Sequence, residues 1–170
     1  MVLRPILRLG DSILREPARP VAAITPEIET LVDDMIETMY AAPGIGLAAP
    51  QVGASLRIFV VDLSVGRDPA GLSVMINPEF VEREGMQLEE EGCLSVPGFT
   101  ATVARPKRVV VKGWDRHGDE HQLEGTGLLA RALQHEMDHL QSCLFLDRLR
   151  GISRELIVRK IKKLSKAGKW

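Results

Sequence analysis

Cysteine is scarce in this chain. Only Cys93 and Cys143 occur among 170 residues, so no disulfide framework can carry the fold, and a buried core has to do so. Long apolar runs are missing too. No stretch reaches the roughly 18 consecutive apolar residues that a transmembrane helix needs, which argues against a membrane span. The segment Met1-Val2-Leu3-Arg4-Pro5-Ile6 has no extended apolar region and no small-residue cleavage site, so a cytoplasmic location is expected. Repeats, low-complexity tracts and long linkers are also absent, and residues 1–170 are expected to form one domain. Net charge is nearly absent at −1, but this hides an asymmetry. Residues 150–170 carry eight Lys or Arg against Glu155 alone, which leaves the remainder of the chain strongly acidic.

What is present suffices for a core, because 45% of the residues are hydrophobic. Thr25 caps and Pro26 begins a helix to about Ala41, with Ile28, Leu31, Val32, Met35, Ile36 and Met39 on one face. Strands are expected at Arg57–Leu63, Val74–Asn77, Gln87–Glu90, Arg108–Trp114 and Glu120–Leu123. A helix from about Thr126 to Gln141 follows. Ser153 is expected to cap a last helix, basic and spanning about 153–167, packed by Ile157, Ile161 and Leu164. This order predicts an α+β fold, with mostly antiparallel strands around a central helix and further helices near either end.

The central helix contains His135-Glu136-Met137-Asp138-His139, an H-E-x-x-H pattern. Residues four apart lie on one helical face, so His135 and His139 can offer nitrogens to one ion. Glu136 stands beside a ligand, close enough to take a proton from a water that such an ion binds. Two apolar stripes flank the histidines: Leu129, Leu133, Met137, Leu140 and Leu144, and beside them Leu128, Ala132 and Cys143. Such a helix is largely buried, where unpaired imidazoles are costly unless a metal uses them.

A catalytic site of this kind normally has three protein ligands. Cys143 continues the helical spacing, but two further turns carry it about 12 Å from His135 along a straight helix, too far for one ion. Cys93, in Glu91-Gly92-Cys93-Leu94-Ser95, lies outside the helix beside a glycine that permits close approach, and it is the expected third ligand. Cys143 is then a small core residue. The segment Gly44-Ile45-Gly46-Leu47-Ala48-Ala49-Pro50-Gln51 lacks the lysine of a phosphate-binding loop. It reads equally as a turn or as an active-site loop, with the Gln51 amide as an oxyanion donor. Ile45, Leu128 and Ala132 are candidates for the wall of an apolar pocket.

Together Gly44–Gln51, Glu91–Ser95 and Gln134–Leu140 resemble the three signature motifs of peptide deformylases, in order and spacing. Asp11-Ser12-Ile13-Leu14-Arg15 and the first long helix are similar as well, so the likeness runs from near residue 5 to about 165. It implies hydrolytic removal of the formyl group from the N-terminal formyl-methionine of nascent polypeptides. Cys93, His135 and His139 would be the metal ligands, and Glu136 the general base and later acid. Gln51 and the Leu94 backbone N–H would form the oxyanion hole. Peptide backbone would pair near Ile45, Gly46 and Gly92, and the methionine side chain would enter the pocket of Ile45, Leu128 and Ala132.

Ligand types alone favour zinc; the resemblance implies iron(II), with nickel, cobalt or zinc as replacements. Relatives often carry an arginine or bulky polar residue near the position of Thr100, so the resemblance gives no strong contact from this segment to the peptide beyond methionine. Arg105 reads as structural pairing, substrate attraction or a solvated charge. A monomer is expected. The basic last helix is either a solvated face or a nucleic-acid contact, and the resemblance implies the ribosome as partner. Two other functions fit the helix motif alone, an ordinary metallopeptidase and a structural zinc module. The first more usually takes a downstream Glu or His as third ligand, and the second needs a fourth ligand.

Overall fold

The computed structural model describes residues 2–170. Helix α1 spans Pro26–Ala41, and the Thr25 side chain caps it by accepting from the Ile28 N–H. Strands β1 (Gly46–Ala48), β2 (Ile58–Val61), β3 (Ser73–Glu84), β4 (Gln87–Cys93), β5 (Val96–Arg105), β6 (Arg108–Trp114) and β7 (Glu120–Thr126) follow. Helix α2 spans Gly127–Leu140 and α3 spans Ile152–Lys166. The strands form an antiparallel five-stranded sheet in the order β1-β2-β3-β6-β7 and a separate β4-β5 pair. The fold is α+β, as expected. Among the described residues no helix is long and apolar enough to cross a membrane.

Strand β2 shows how the sheet holds its two helices. All four of its residues are buried, so the strand is apolar throughout rather than alternating. Ile58 and Val60 face α1, packing in one cluster with Leu31, Val32, Met35 and Met39. Phe59 and Val61 point the other way, into a cluster with Ala130, Leu133, Met137 and Leu140 of α2. Helix α2 therefore lies across the sheet with its second half wholly buried. A third cluster joins β5 to α3: Val96, Val103, Phe145, Leu146, Ile157 and Ile161.

Several expected bounds move. The strand expected at Val74–Asn77 runs on to Glu84, because β6 supplies ladder partners across two register shifts that break the alternation. Strand β4 extends to Cys93, and β7 extends to Thr126. Strands β1 and β5 were not expected: the first has only three residues, and the second contains Pro97 and Gly98, ordinarily read as loop. Ser153 does not cap α3, which begins at Ile152 after Gly151 with φ +69°. Helix α2 ends at Leu140, so Cys143 and Leu144 lie beyond the stripes assigned to them.

Candidate metal centre and active site

Helix α2 stacks His135 and His139 with ring centroids 5.0 Å apart. Strand β4 ends at Cys93, whose Sγ lies 3.3 Å from His139 Nε2. One donor atom from each of Cys93, His135 and His139 lies within 4.8 Å of the others. Both imidazoles are buried. His139 meets Cys93 through Nε2, while its Nδ1 has no partner among the described residues. A thiol and two imidazoles clustered in this way, one ring otherwise poorly paired, fit a single divalent transition-metal ion. Cys143 is free and half-buried, and its Sγ turns to the Leu144 carbonyl.

The loop before β2 adds an amide. Gln51 sits in the short helical turn Ala49–Val52, which follows β1 directly, and is only 1% exposed. Its Oε1 accepts from the Ala48 N–H at 2.9 Å, which fixes the orientation of the amide. Its Nε2 then faces Ser95 Oγ at 3.1 Å and Cys93 Sγ at 3.6 Å. Glu136 approaches from the other side, and a Cβ added at Gly46 would lie 2.7 Å from Glu136 Oε1, so any larger residue there would displace the carboxyl. Glu136 Oε2 is buried without a partner among the described residues. Burial pushes the Glu136 pKa up to about 7, against the charge of His135.

These groups lie along a cleft of about 880 Å³. Ile45, Gly46, Gln51, Gly92, Cys93, Leu94, Leu128, Ala132, His135 and Glu136 all line it, while His139 sits behind them. Leu128 is 55% exposed and so forms a rim of the pocket rather than a sealed wall.

The sequence reading missed what holds the centre in place. Glu91, one of three consecutive glutamates, is buried at the middle of a charge network. It accepts from Arg105 Nε at 2.8 Å and Arg105 Nη2 at 2.5 Å, and from Arg131 Nη1 at 2.8 Å. Its Oε1 also lies 2.5 Å from His135 Nδ1, which leaves the other ring nitrogen of His135 for an ion. Arg105 reaches on to Asp138 at 2.9 Å. Of the three readings of Arg105, structural pairing is the one realised, since its side chain is only 3% exposed. Burial opposes the Glu91 charge, but Arg105 and His135 outweigh it and hold its carboxyl well below the usual range. Burial likewise opposes a charged His135, yet Cys93 and Glu91 hold its pKa well above the ordinary value, while burial and His135 depress that of His139. Strand periodicity does not single Glu91 out, because Glu89 shares it and is exposed.

A family model for polypeptide deformylase matches residues 3–155. The peptide deformylase of Acidobacterium capsulatum is 47% identical over 170 residues, covering 100% of both chains. That of Thermodesulfovibrio yellowstonii is 50% identical over 162 residues, covering 95% of this chain and 98% of its own. A crystal structure of a peptide deformylase from Legionella pneumophila superposes with a TM-score of 0.92 at 44% identity, covering 98% of each chain. One from Ehrlichia chaffeensis, solved in complex with actinonin, gives 0.88 at 38% identity, covering 96% of this chain and 98% of that one.

Proposed function

The chain belongs to the polypeptide deformylase family, and we propose that Cys93, His135 and His139 hold the divalent ion with which it removes the formyl group from nascent polypeptides. The hydrolysis releases formate from N-terminal formyl-methionine. A divalent ion in such a ligand set polarises the formyl oxygen and makes water acidic enough to react near neutral pH. The protein's own groups do the rest. Glu136 Oε2, buried and unpartnered, takes the proton of the attacking water and returns it to the departing amine. A carboxyl that titrates near 7 can serve in both directions. Gln51 Nε2 and the Leu94 N–H donate to the oxygen on which negative charge develops, where donors act most strongly because water is excluded.

The peptide backbone lies between β1 and β4, near Ile45, Gly46 and Gly92, and the methionine side chain enters beside Leu128 and Ala132. Both strands leave one edge unpaired at the cleft, so an extended chain can add to either. We assign iron(II) as the physiological ion, with nickel, cobalt or zinc able to replace it, and residues 1–170 as one catalytic domain that works as a cytoplasmic monomer. The basic face of α3 docks on the ribosome, where the substrate emerges. The observation that carries this reading is the convergence of Gln51, Cys93, His135 and Glu136 on one cleft, with His139 directly behind Cys93 and His135. Its test is formate release from a formyl-Met peptide by protein purified without oxygen, with the bound metal quantified in the same sample. A metal-loaded protein that released no formate would refute it, and activity tracking zinc rather than iron content would overturn the choice of ion.

A further inference from the structure

The cleft has an aromatic wall that the β-ladder does not support. In the β4-β5 pair, Gly92 pairs with Thr100 and Cys93 with Val96, so Pro97, Gly98 and Phe99 bulge out between two ladder positions. Gly98 there has φ +84°, a conformation that glycine tolerates freely. All three bulged residues line the cleft. The bulged residues have no ladder partner, and Phe99 meets a ring from outside the sheet.

The residue that supplies it is Trp170. Its ring lies 6.1 Å from the Phe99 ring, tilted by 58°. Its indole N–H donates to the Leu9 carbonyl at 2.7 Å, and the Leu9 N–H donates to the Ser95 carbonyl at 2.8 Å. The Arg8 guanidinium lies 5.9 Å from the centre of the indole ring, on its other contact. Trp170 thus meets Phe99 directly and, through Leu9, Ser95 just before the bulge. It belongs to the same apolar cluster as Phe99, Cys93, Ile157 and Ile161.

We propose that Trp170 is a positioning residue for peptide recognition: it holds Phe99 as the cleft wall that meets the residues following the formyl-methionine. This rests on the deformylase reading and extends it to a part of the substrate remote from the metal. A tilted aromatic pair is worth enough to change binding about three- to ten-fold. Trp170→Ala should therefore raise KM for a formyl-Met tripeptide by about that factor, with kcat unchanged. KM for formyl-Met methyl amide, which has nothing to reach the wall, should stay at the wild-type value. Trp170→Phe keeps a ring against Phe99 and should restore most of the tripeptide KM. In a Phe99→Ala background, Trp170→Ala should have no further effect. The proposal is overturned if both substrates weaken equally, if neither does, or if the Trp170 and Phe99 effects add. Should Trp170→Ala fail to fold, the Phe99→Ala comparison of the two substrates decides instead, and equal KM changes for both would overturn the proposal. Formate release from the methyl amide by the wild type tests the underlying reading separately.

Discussion

Replacing Glu91 with Gln probes what the buried network contributes to both the fold and the metal. The substitution keeps the shape and one acceptor oxygen, but removes a charge that serves Arg105, Arg131 and His135 together. Arg105 retains Asp138. Arg131 has no other carboxylate and is left with neutral acceptors such as the Val103 carbonyl, its Nε having no partner among the described residues. Removing one member of a buried ion pair typically costs about 3–5 kcal/mol. The lower end applies here, since Asp138 still compensates one guanidinium. For a chain of this size about 3 kcal/mol lowers Tm by roughly 6–12 °C. Loss of the partner that orients a ligating histidine should also weaken metal binding about 10- to 100-fold. Acid dependence supplies a third readout. The folded-state pKa of Glu91 lies below its unfolded value, so the stability it contributes is present above pH ~4.3 and fades as pH falls below that. The variant should therefore lose less stability than the wild type between pH 5 and the acid limit, and thermal melts across pH with metal competition against a chelator dye measure all three effects. An unchanged Tm together with unchanged metal affinity would show that Glu91 supports neither the fold nor the metal ligands.

Three further outcomes test other parts of the molecule. Gln51→Ala should lower kcat by about 10²–10³ while bound metal, measured by elemental analysis, stays at the wild-type level; wild-type turnover would remove Gln51 from the oxyanion hole. Tyr40, the sole tyrosine, donates to the buried Asp62 carboxylate at 2.6 Å. Burial and that carboxylate push its pKa up to about 12, so ultraviolet titration of the native protein should find the phenolate midpoint there, and stability contributed by the neutral phenol should be lost as pH rises from about 10 through 12. A midpoint near 10 in protein that is still folded would contradict this. On α3, Lys160, Lys162 and Lys163 changed to Glu should weaken ribosome binding and flatten its salt dependence without altering turnover of formyl-Met tripeptides, whereas removal of residues 153–170 would also strip Ile157 and Ile161 from the core. Undiminished binding of the charge-reversed protein would refute an electrostatic contact.

The parts of the site legible in the sequence are those whose chemistry is local. H-E-x-x-H states its own geometry, because helical periodicity brings His135 and His139 together wherever the helix lies. The exclusion of Cys143 also rested on rise per residue, and that helix ends even before reaching it. Glu91 was illegible for the opposite reason. Its importance comes from Arg105 on β5 and Arg131 on α2, partners that only the fold brings together. Strand β5 was hidden because its bulge places Pro97 and Gly98 where a regular strand excludes them. Phe99 and Trp170 carry no pattern in sequence that links one to the other.

Charge balance explains why such a network can stand beside a cation. Among the buried side chains around α2, the guanidinium charges of Arg105 and Arg131 are matched by the carboxylates of Glu91 and Asp138, with Asp138 also meeting the more exposed Arg148, so these buried groups balance once His135 is a neutral ligand. An ion held by one thiolate and two neutral imidazoles then meets no net opposing charge from its support. Glu91→Gln breaks that balance and leaves one uncompensated positive charge near the ligands, so part of its effect on metal affinity is electrostatic rather than orientational. The two parts separate in a double variant. Arg131→Met removes the surplus charge at similar volume, although it sacrifices the bond to the Val103 carbonyl. If charge dominates, Glu91→Gln with Arg131→Met should bind the ion more tightly than Glu91→Gln alone, by about ten-fold for each 1.4 kcal/mol of repulsion relieved. If orientation of His135 dominates, the double variant should bind no better than the single one. Equal affinities in a chelator competition would reject charge balance as the reason for Arg131, and leave the Glu91 contact to His135 Nδ1 as the means by which the network serves the metal.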